Sequence, residues 1–368
     1  MNRRERYIHY VKTGKGGPLV SPQIGAGAGF DCKLAGKLWM TDGTLEDTLR
    51  ACEMVECDPL FNLGLPQFVG MVPELSWKSE STPCGGGRKL VSSLDTPYGE
   101  FRLEQYEQKI LGVTPTRYPV EMGDNLDAVA WYAEQYLKAI PYLPETLGSI
   151  VEKTRELGPL SIQWQLQPIE LLGLVSPVDM VMFAMSEPEH HRKVCDVIRD
   201  VNMEFAPEVL KCGVDFLFLG GQGSEMMSPG LYERYIIPDS QAITEVIHSA
   251  GGLVYTHICS PIEPFLGMGF YNRMGIDLFE TLSPPPVGNV SDLAAARRIL
   301  DNTICTRGNV GLDVLVNGTI DDVERVTRKI MRDTAGYKHI VAASDYLFYD
   351  VPLENVQTMV RTVRQYGT

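Results

Sequence analysis

The tripeptide His257-Ile258-Cys259 closes an apolar run, Leu253-Val254-Tyr255-Thr256, and Ser260-Pro261 follows at once. On an extended strand residues i and i+2 point to the same face, so one imidazole and one thiol share a side of a buried strand where it stops. That donor pair suits zinc, and a parallel barrel displays its chemistry at the C-terminal ends of its strands. The alternative is packing, because Cys behaves as a small hydrophobe in a core.

Further polar residues end the other apolar runs. In order they are Gln163, Gln165 and Gln167 with Trp164; Gln222, Glu225, Met226 and Met227; Glu280; Arg307 and Asn309; and Ser344, Asp345 and Tyr346. Left unpaired in a core they would cost roughly 1–3 kcal/mol each, so they are expected to line one mouth. Several have a second reading. Glu225 also fits a cap for the helix starting near Ser228, Met226 and Met227 fit core filler, and Arg307 could pair with Asp301 or Asp313. His190 and His191, near the start of a predicted helix, are expected to face solvent. No Gly-x-Ser-x-Gly elbow occurs, and Cys259 as a nucleophile beside His257 is a rarer use of such a pair than metal ligation.

The elements that must hold these residues repeat from about residue 124 as helix, short apolar strand, and a loop with Gly or Pro. Strands are predicted at 160–165, 216–219, 253–259, 277–282, 303–307 and 339–343, with helices over 188–211, 228–250, 290–300 and 320–334. Two earlier strands near Leu19 and Leu60 bring the count to eight. Alternating strands and helices imply βαβ units, so the expected fold is α/β, a (β/α)8 TIM barrel formed by residues 1–368 as a single domain. Residues 1–120 include an N-terminal extension, with a helix near 2–12 and a β-hairpin insertion between short β-like runs at 89–93 and 100–103. An open doubly wound sheet is the alternative, but it would normally bring a recognisable phosphate loop. The run Gly25-Ala26-Gly27-Ala28-Gly29 lacks a following Gly-Lys-Ser/Thr and is read as a mobile loop over the mouth.

Composition narrows the function. A net charge of −14 without clustered Lys and Arg argues against a nucleic-acid partner. No apolar stretch is long enough for a membrane span and the polar start is no signal core, so a cytoplasmic address is expected. Eight cysteines without C-x-x-C spacing read as reduced thiols, seven of them structural.

The chain resembles the uroporphyrinogen decarboxylase superfamily, and within it the corrinoid-dependent methyltransferases. The resemblance is carried by Asn2-Arg3-Arg4-Glu5-Arg6, by Asp95 to Glu100, by Ser228-Pro229-Gly230-Leu231-Tyr232 through Ile237-Pro238, by Ala250 to Cys259, and by Pro352-Leu353-Glu354-Asn355-Val356. The decarboxylases resemble one another in an Arg-rich segment that clamps porphyrinogen carboxylates; here Ser21 to Gly27 holds no Arg. An acidic site without that clamp would repel a polycarboxylate. The methyltransferase resemblance implies zinc on the His-x-Cys pair and a second Cys near the C-terminus. Counting back from Pro352, that position holds Asp345, so either the metal is lost or His257, Cys259 and Asp345 hold it, with Glu280 as a further oxygen. Carboxylate makes a harder metal, better matched to oxygen than to sulfur. The resemblance therefore implies methyl transfer from a methoxylated, aromatic small molecule to cobalamin of a corrinoid protein. No corrinoid-binding Asp-x-His-x-x-Gly motif occurs, which implies a partner in trans. In this reading Glu280, Tyr346 and Glu225 are catalytic, while Gln163, Trp164, Gln165, Met226, Met227, Arg307 and Asn309 bind substrate. Methylation of a thiol, a lyase on another carboxylate, and a barrel that has lost its chemistry remain the alternatives.

Overall fold

The computed structural model describes residues 1–25, 27–64, 70, 72–108, 112–221 and 226–367. Its strands, in chain order, are β1 (Phe61–Gly64), β2 (Lys78–Cys84), β3 (Gly87–Thr96), β4 (Gly99–Gln108), β5 (Gly112–Arg117), β6 (Leu160–Gln163), β7 (Phe216–Phe218), β8 (Leu253–His257), β9 (Leu278–Glu280), β10 (Cys305–Val310) and β11 (His339–Ala343). Seven form one curled parallel sheet in the order β1-β6-β7-β8-β9-β10-β11, and β2 to β5 form a separate antiparallel sheet.

Side-chain alternation along the parallel strands divides the core in two. Leu60, Phe216, Leu253, Tyr255, Leu278, Cys305 and Ile340 cluster on one face with Leu19 and with Tyr7, Tyr10 and Val11. Those last three come from helix Arg3–Thr13, which starts on a capping box between Asn2 and Glu5. The Tyr10 hydroxyl donates to the His339 carbonyl at 2.9 Å, tying this helix to the first residue of β11. The helix therefore plugs the concave face at the N-terminal ends of the strands, and the C-terminal ends carry the polar residues. On the opposite face Phe61, Ile162, Leu217, Val254, Phe279 and Val341 pack under the helical layer, which includes Val194, Ile198 and Phe205 of helix Pro188–Lys211.

Three expectations need correction. The eighth strand, near Leu19, is reduced to two isolated parallel bridges, Val20 with Val341 and Gln23 with Tyr346. Its backbone bonds run from Ser21 N to Val341 O at 2.8 Å and from Asp58 N to Val20 O at 2.8 Å. Pro18 and Pro22 bracket the segment and lack the N–H that a longer ladder needs, so the parallel sheet has seven full strands among the described residues. The hairpin is a four-stranded sheet. Its edge strand β2 exposes every residue and so has no apolar alternation to betray it. The helix expected over 228–250 is broken into Pro229–Leu231, a π turn at Tyr232–Ile236 and Ile237–Ser249, because Pro238 cannot donate to the preceding turn. No helix among the described residues is long and apolar enough to cross a membrane.

Candidate functional site at the strand ends

Strand register builds the site. His257 of β8 lies opposite Glu280 of β9, and Glu280 lies opposite Arg307 of β10, so three inward-facing residues form one row. The Glu280 carboxylate uses both oxygens: Oε2 meets His257 Nδ1 at 3.1 Å, and Oε1 accepts from Arg307 Nη1. Glu280 and Arg307 are both fully buried. Arg307 also donates through Nε to the Ser21 carbonyl at 2.7 Å and through Nη2 to the Pro22 carbonyl at 3.3 Å. Burial alone would raise the Glu280 pKa, but the Arg307 charge and the His257 contact outweigh it and hold the group below its ordinary value.

The other ring nitrogen, His257 Nε2, lies 3.2 Å from Asp345 Oδ1 just past the end of β11. Cys259 stands two residues beyond the end of β8, yet Ile258 N still donates to the Glu280 carbonyl at 2.8 Å and carries the ladder on. One donor atom each from His257, Cys259 and Asp345 therefore lie within 4.8 Å of one another. Burial disfavours a charged His257, but hydrogen bonds to Asp345, Cys259 and Glu280 prevail and lift its pKa well above the ordinary imidazole value.

A second cluster faces the same mouth. The Tyr346 ring sits 5.0 Å from the His257 ring. Gln163 Nε2 donates to the Tyr346 hydroxyl at 2.8 Å and to the Tyr255 hydroxyl at 2.6 Å. Asn62 joins the two tyrosines, donating from Nδ2 to Tyr346 at 3.3 Å and accepting at Oδ1 from Tyr255 at 3.2 Å. Asn62 and Tyr255 were not singled out from the sequence. The signal was there in Tyr255, which shares the strand face of His257 by the same i, i+2 rule.

Other expected site residues lie elsewhere. Trp164 is a correction: its indole N–H donates to Asn202 at 3.0 Å and its ring packs edge-on against Phe205, on the helix side of the sheet. Arg307, expected to bind substrate, is fully buried and donates to Glu280 and to the Ser21 and Pro22 carbonyls, and among the described residues it pairs with neither Asp301 nor Asp313. Asn309 is buried and donates to the Leu282 carbonyl at 2.7 Å, which fixes a loop. Glu280 stands behind His257 with both oxygens occupied, not among the ligand-distance group. Gln165 borders Gly173, where an added Cβ would lie 3.6 Å from its amide. Met227 is buried at a small cavity that Tyr232, Ile258 and Met274 also line, whereas Met226 is 46% exposed. Gln222 and Glu225 fall outside the described residues. His191, expected in solvent, is buried against the Tyr235 ring; its neighbour His190 is the half-exposed one, bonded to Asp127 at 2.7 Å. The eight cysteines are free thiols.

Comparison with known proteins places this geometry. Residues 170–366, more than half of the chain, match the uroporphyrinogen decarboxylase (URO-D) family. The chain is 22% identical over 247 residues to the methylcobamide:CoM methyltransferase of Methanosarcina mazei, covering 67% of this chain and 64% of that protein. It is 27% identical over 182 residues to a uroporphyrinogen decarboxylase of Syntrophotalea carbinolica, covering 48% of this chain and 49% of that one. The chain thus spans less than two thirds of the length of these relatives. A solved methyltransferase structure from Methanosarcina mazei superposes with a TM-score of 0.71 over 100% of both chains at 16% identity, which shows a shared fold.

Proposed function

Because this chain belongs to the uroporphyrinogen decarboxylase family, we propose that it works as a corrinoid-dependent methyltransferase. In this reading it moves a methyl group from a methoxylated, aromatic small molecule to Co(I) of a corrinoid on a separate protein. The observation that carries the proposal is the convergence of His257, Cys259 and Asp345 at the strand ends. The similarity to a methylcobamide methyltransferase agrees with it. A carboxylate-removing reaction is disfavoured, since Ser21 to Gly27 holds no Arg and Arg307 is enclosed by its own partners.

The donor set fits zinc. Zinc bonds of about 2.0–2.3 Å place tetrahedral neighbours roughly 3.3–3.8 Å apart, so donors already within 4.8 Å need only small side-chain rotations. Glu280 on Nδ1 would fix the ring and present Nε2, as a carboxylate behind a metal-bound imidazole does. When bound, the ion would supply Lewis acidity toward the departing oxygen. Tyr346 would bind that oxygen beside it, while the methyl carbon passes to the corrinoid. A thiol acceptor is the second reading, favoured by the methylcobamide:CoM relative.

The test combines metal analysis with methyl transfer. The protein, a reduced corrinoid and a panel of methoxyarenes, methanol, methylamines and methyl thiols are mixed, and methyl-Co(III) is followed by absorbance; thiols with methylcobalamin test the reverse direction. Stoichiometric zinc and methylation from methoxyarenes are expected, and Cys259→Ala lowers both, because one missing ligand removes much of the affinity. Methylation only from amines or thiols overturns the oxygen-donor reading, and CO₂ from an unmethylated acid overturns the methyltransferase class.

A further inference from the structure

The amide and phenol cluster at the mouth has a countable number of protons. Each tyrosine hydroxyl donates once and accepts twice, while an amide NH₂ donates twice. The Tyr255 hydroxyl donates to Asn62 Oδ1, so its contact with Gln163 must be the amide donating to it. Gln163 then has one N–H left, which goes to Tyr346. Asn62, with Oδ1 turned to Tyr255, presents Nδ2 to Tyr346 as well. Tyr346 therefore accepts two hydrogen bonds, and no acceptor for its own proton stands among the described residues. Tyr255 is fully buried and Asn62 nearly so, whereas Tyr346 is partly exposed and its ring packs beside that of His257 at 5.0 Å.

We propose that Asn62 and Gln163 are positioning residues that fill the lone pairs of Tyr346 and turn its single proton toward the His257–Cys259–Asp345 cluster, which suits the site to unactivated methyl ethers. This rests on the methyl-ether reading above. The C–O bond breaks with its electron pair on oxygen, and the Co(I) pair forms the C–Co bond, leaving cobalt as Co(III). The ether oxygen takes the proton from Tyr346 and leaves as the neutral alcohol or phenol. The remaining tyrosinate is held by the two amide N–H groups that already point at it, a preorganised arrangement that needs no rearrangement as charge develops. It regains a proton from water when the product departs. A methyl donor with a good leaving group gains little from such a proton, so the device distinguishes donor classes.

The experiment measures methyl-Co(III) formation from free cob(I)alamin with ring-substituted methoxybenzenes, from unsubstituted to 4-nitro, for wild type, N62L, Q163M and Y346F. In wild type the rate depends weakly on the leaving group. Y346F loses about 10²–10⁴-fold with the unsubstituted ether, the usual contribution of a positioned acid; N62L and Q163M lose about tenfold or more, and all three lose far less with the 4-nitro compound. In parallel, NMR of the protein carrying ¹³Cζ-tyrosine identifies Tyr346 by its absence in Y346F, and its resonance moves in N62L and Q163M. Leaving-group slopes unchanged in both amide variants, or a resonance unmoved in folded protein, overturn the positioning inference while the methyl-ether reading stands. Wild type that methylates cobalt from no ether overturns both.

Discussion

Replacing Glu280 with Leu isolates what the buried row does. Both Glu280 and Arg307 are 0% exposed. In E280L the guanidinium keeps the Ser21 and Pro22 carbonyls at 2.7 and 3.3 Å but loses the one carboxylate paired with it among the described residues. Removing one partner of a buried ion pair costs about 3–5 kcal/mol, because the other charge stays buried and uncompensated. E280L/R307M removes both charges and is expected to recover much of that loss, since an apolar replacement of the whole pair is often near neutral. Equilibrium urea unfolding followed by circular dichroism reads these differences, with equal m-values required for comparison. His257 loses its Nδ1 partner in E280L, so zinc affinity by chelator competition should fall about 10–100-fold, or roughly 1.4–2.8 kcal/mol. If E280L costs under about 1 kcal/mol, Arg307 is not left as an uncompensated buried charge. If zinc affinity stays unchanged, Glu280 does not orient His257.

Three further outcomes are expected. Asp345→Cys restores a second thiolate and should retain zinc while slowing demethylation of ethers, because a softer ligand set weakens activation of an oxygen leaving group; unchanged demethylation would remove Asp345 from the ligand set. His191 and His339 are kept neutral by burial, with Arg192 and Arg297 adding to it, and their pKa values fall to about 4 and about 3. The unfolded chain binds these protons more readily, so stability is full above about pH 6.5 and is lost as pH falls toward 4, by roughly 3 kcal/mol for His191. A thermal midpoint that does not drop across that window more than in H191Q would refute this. Gly308 sits beside Arg307 in β10 with φ of 156°, and a Cβ there would meet the Thr281 carbonyl oxygen at 2.2 Å. G308A should lose at least about 1–3 kcal/mol by overpacking against rigid backbone; a neutral result by urea unfolding would show that β9 and β10 can move apart.

Much of the frame was legible because it depends on local periodicity. Helix Pro188–Lys211 has the same bounds in the sequence pattern and in the structure, set by Pro188 at its start and an apolar face that repeats at helical spacing. The apolar runs at β8 and β11 announced themselves, and with them His257, Cys259 and the stretch holding Asp345. Even the error at Trp164 was avoidable: if Gln163 faces the mouth, period two sends its neighbour to the helix layer.

What the chain alone determined was which residues stand at strand ends and which face each one takes, since both follow from the geometry of a few consecutive residues. Register across strands, the insertion of Tyr7 and Tyr10 beneath the sheet, and the enclosure of Glu280 with Arg307 were decided only in three dimensions. Each depends on residues far apart in sequence: Arg307 is 286 positions from the Ser21 carbonyl it donates to, and Asn62 is 284 from the Tyr346 hydroxyl. A single residue's shift in register would exchange the inward and outward faces of a strand. The interstrand packing that prevents such a shift therefore selects which of the polar residues meet around His257 and which are spent in the walls.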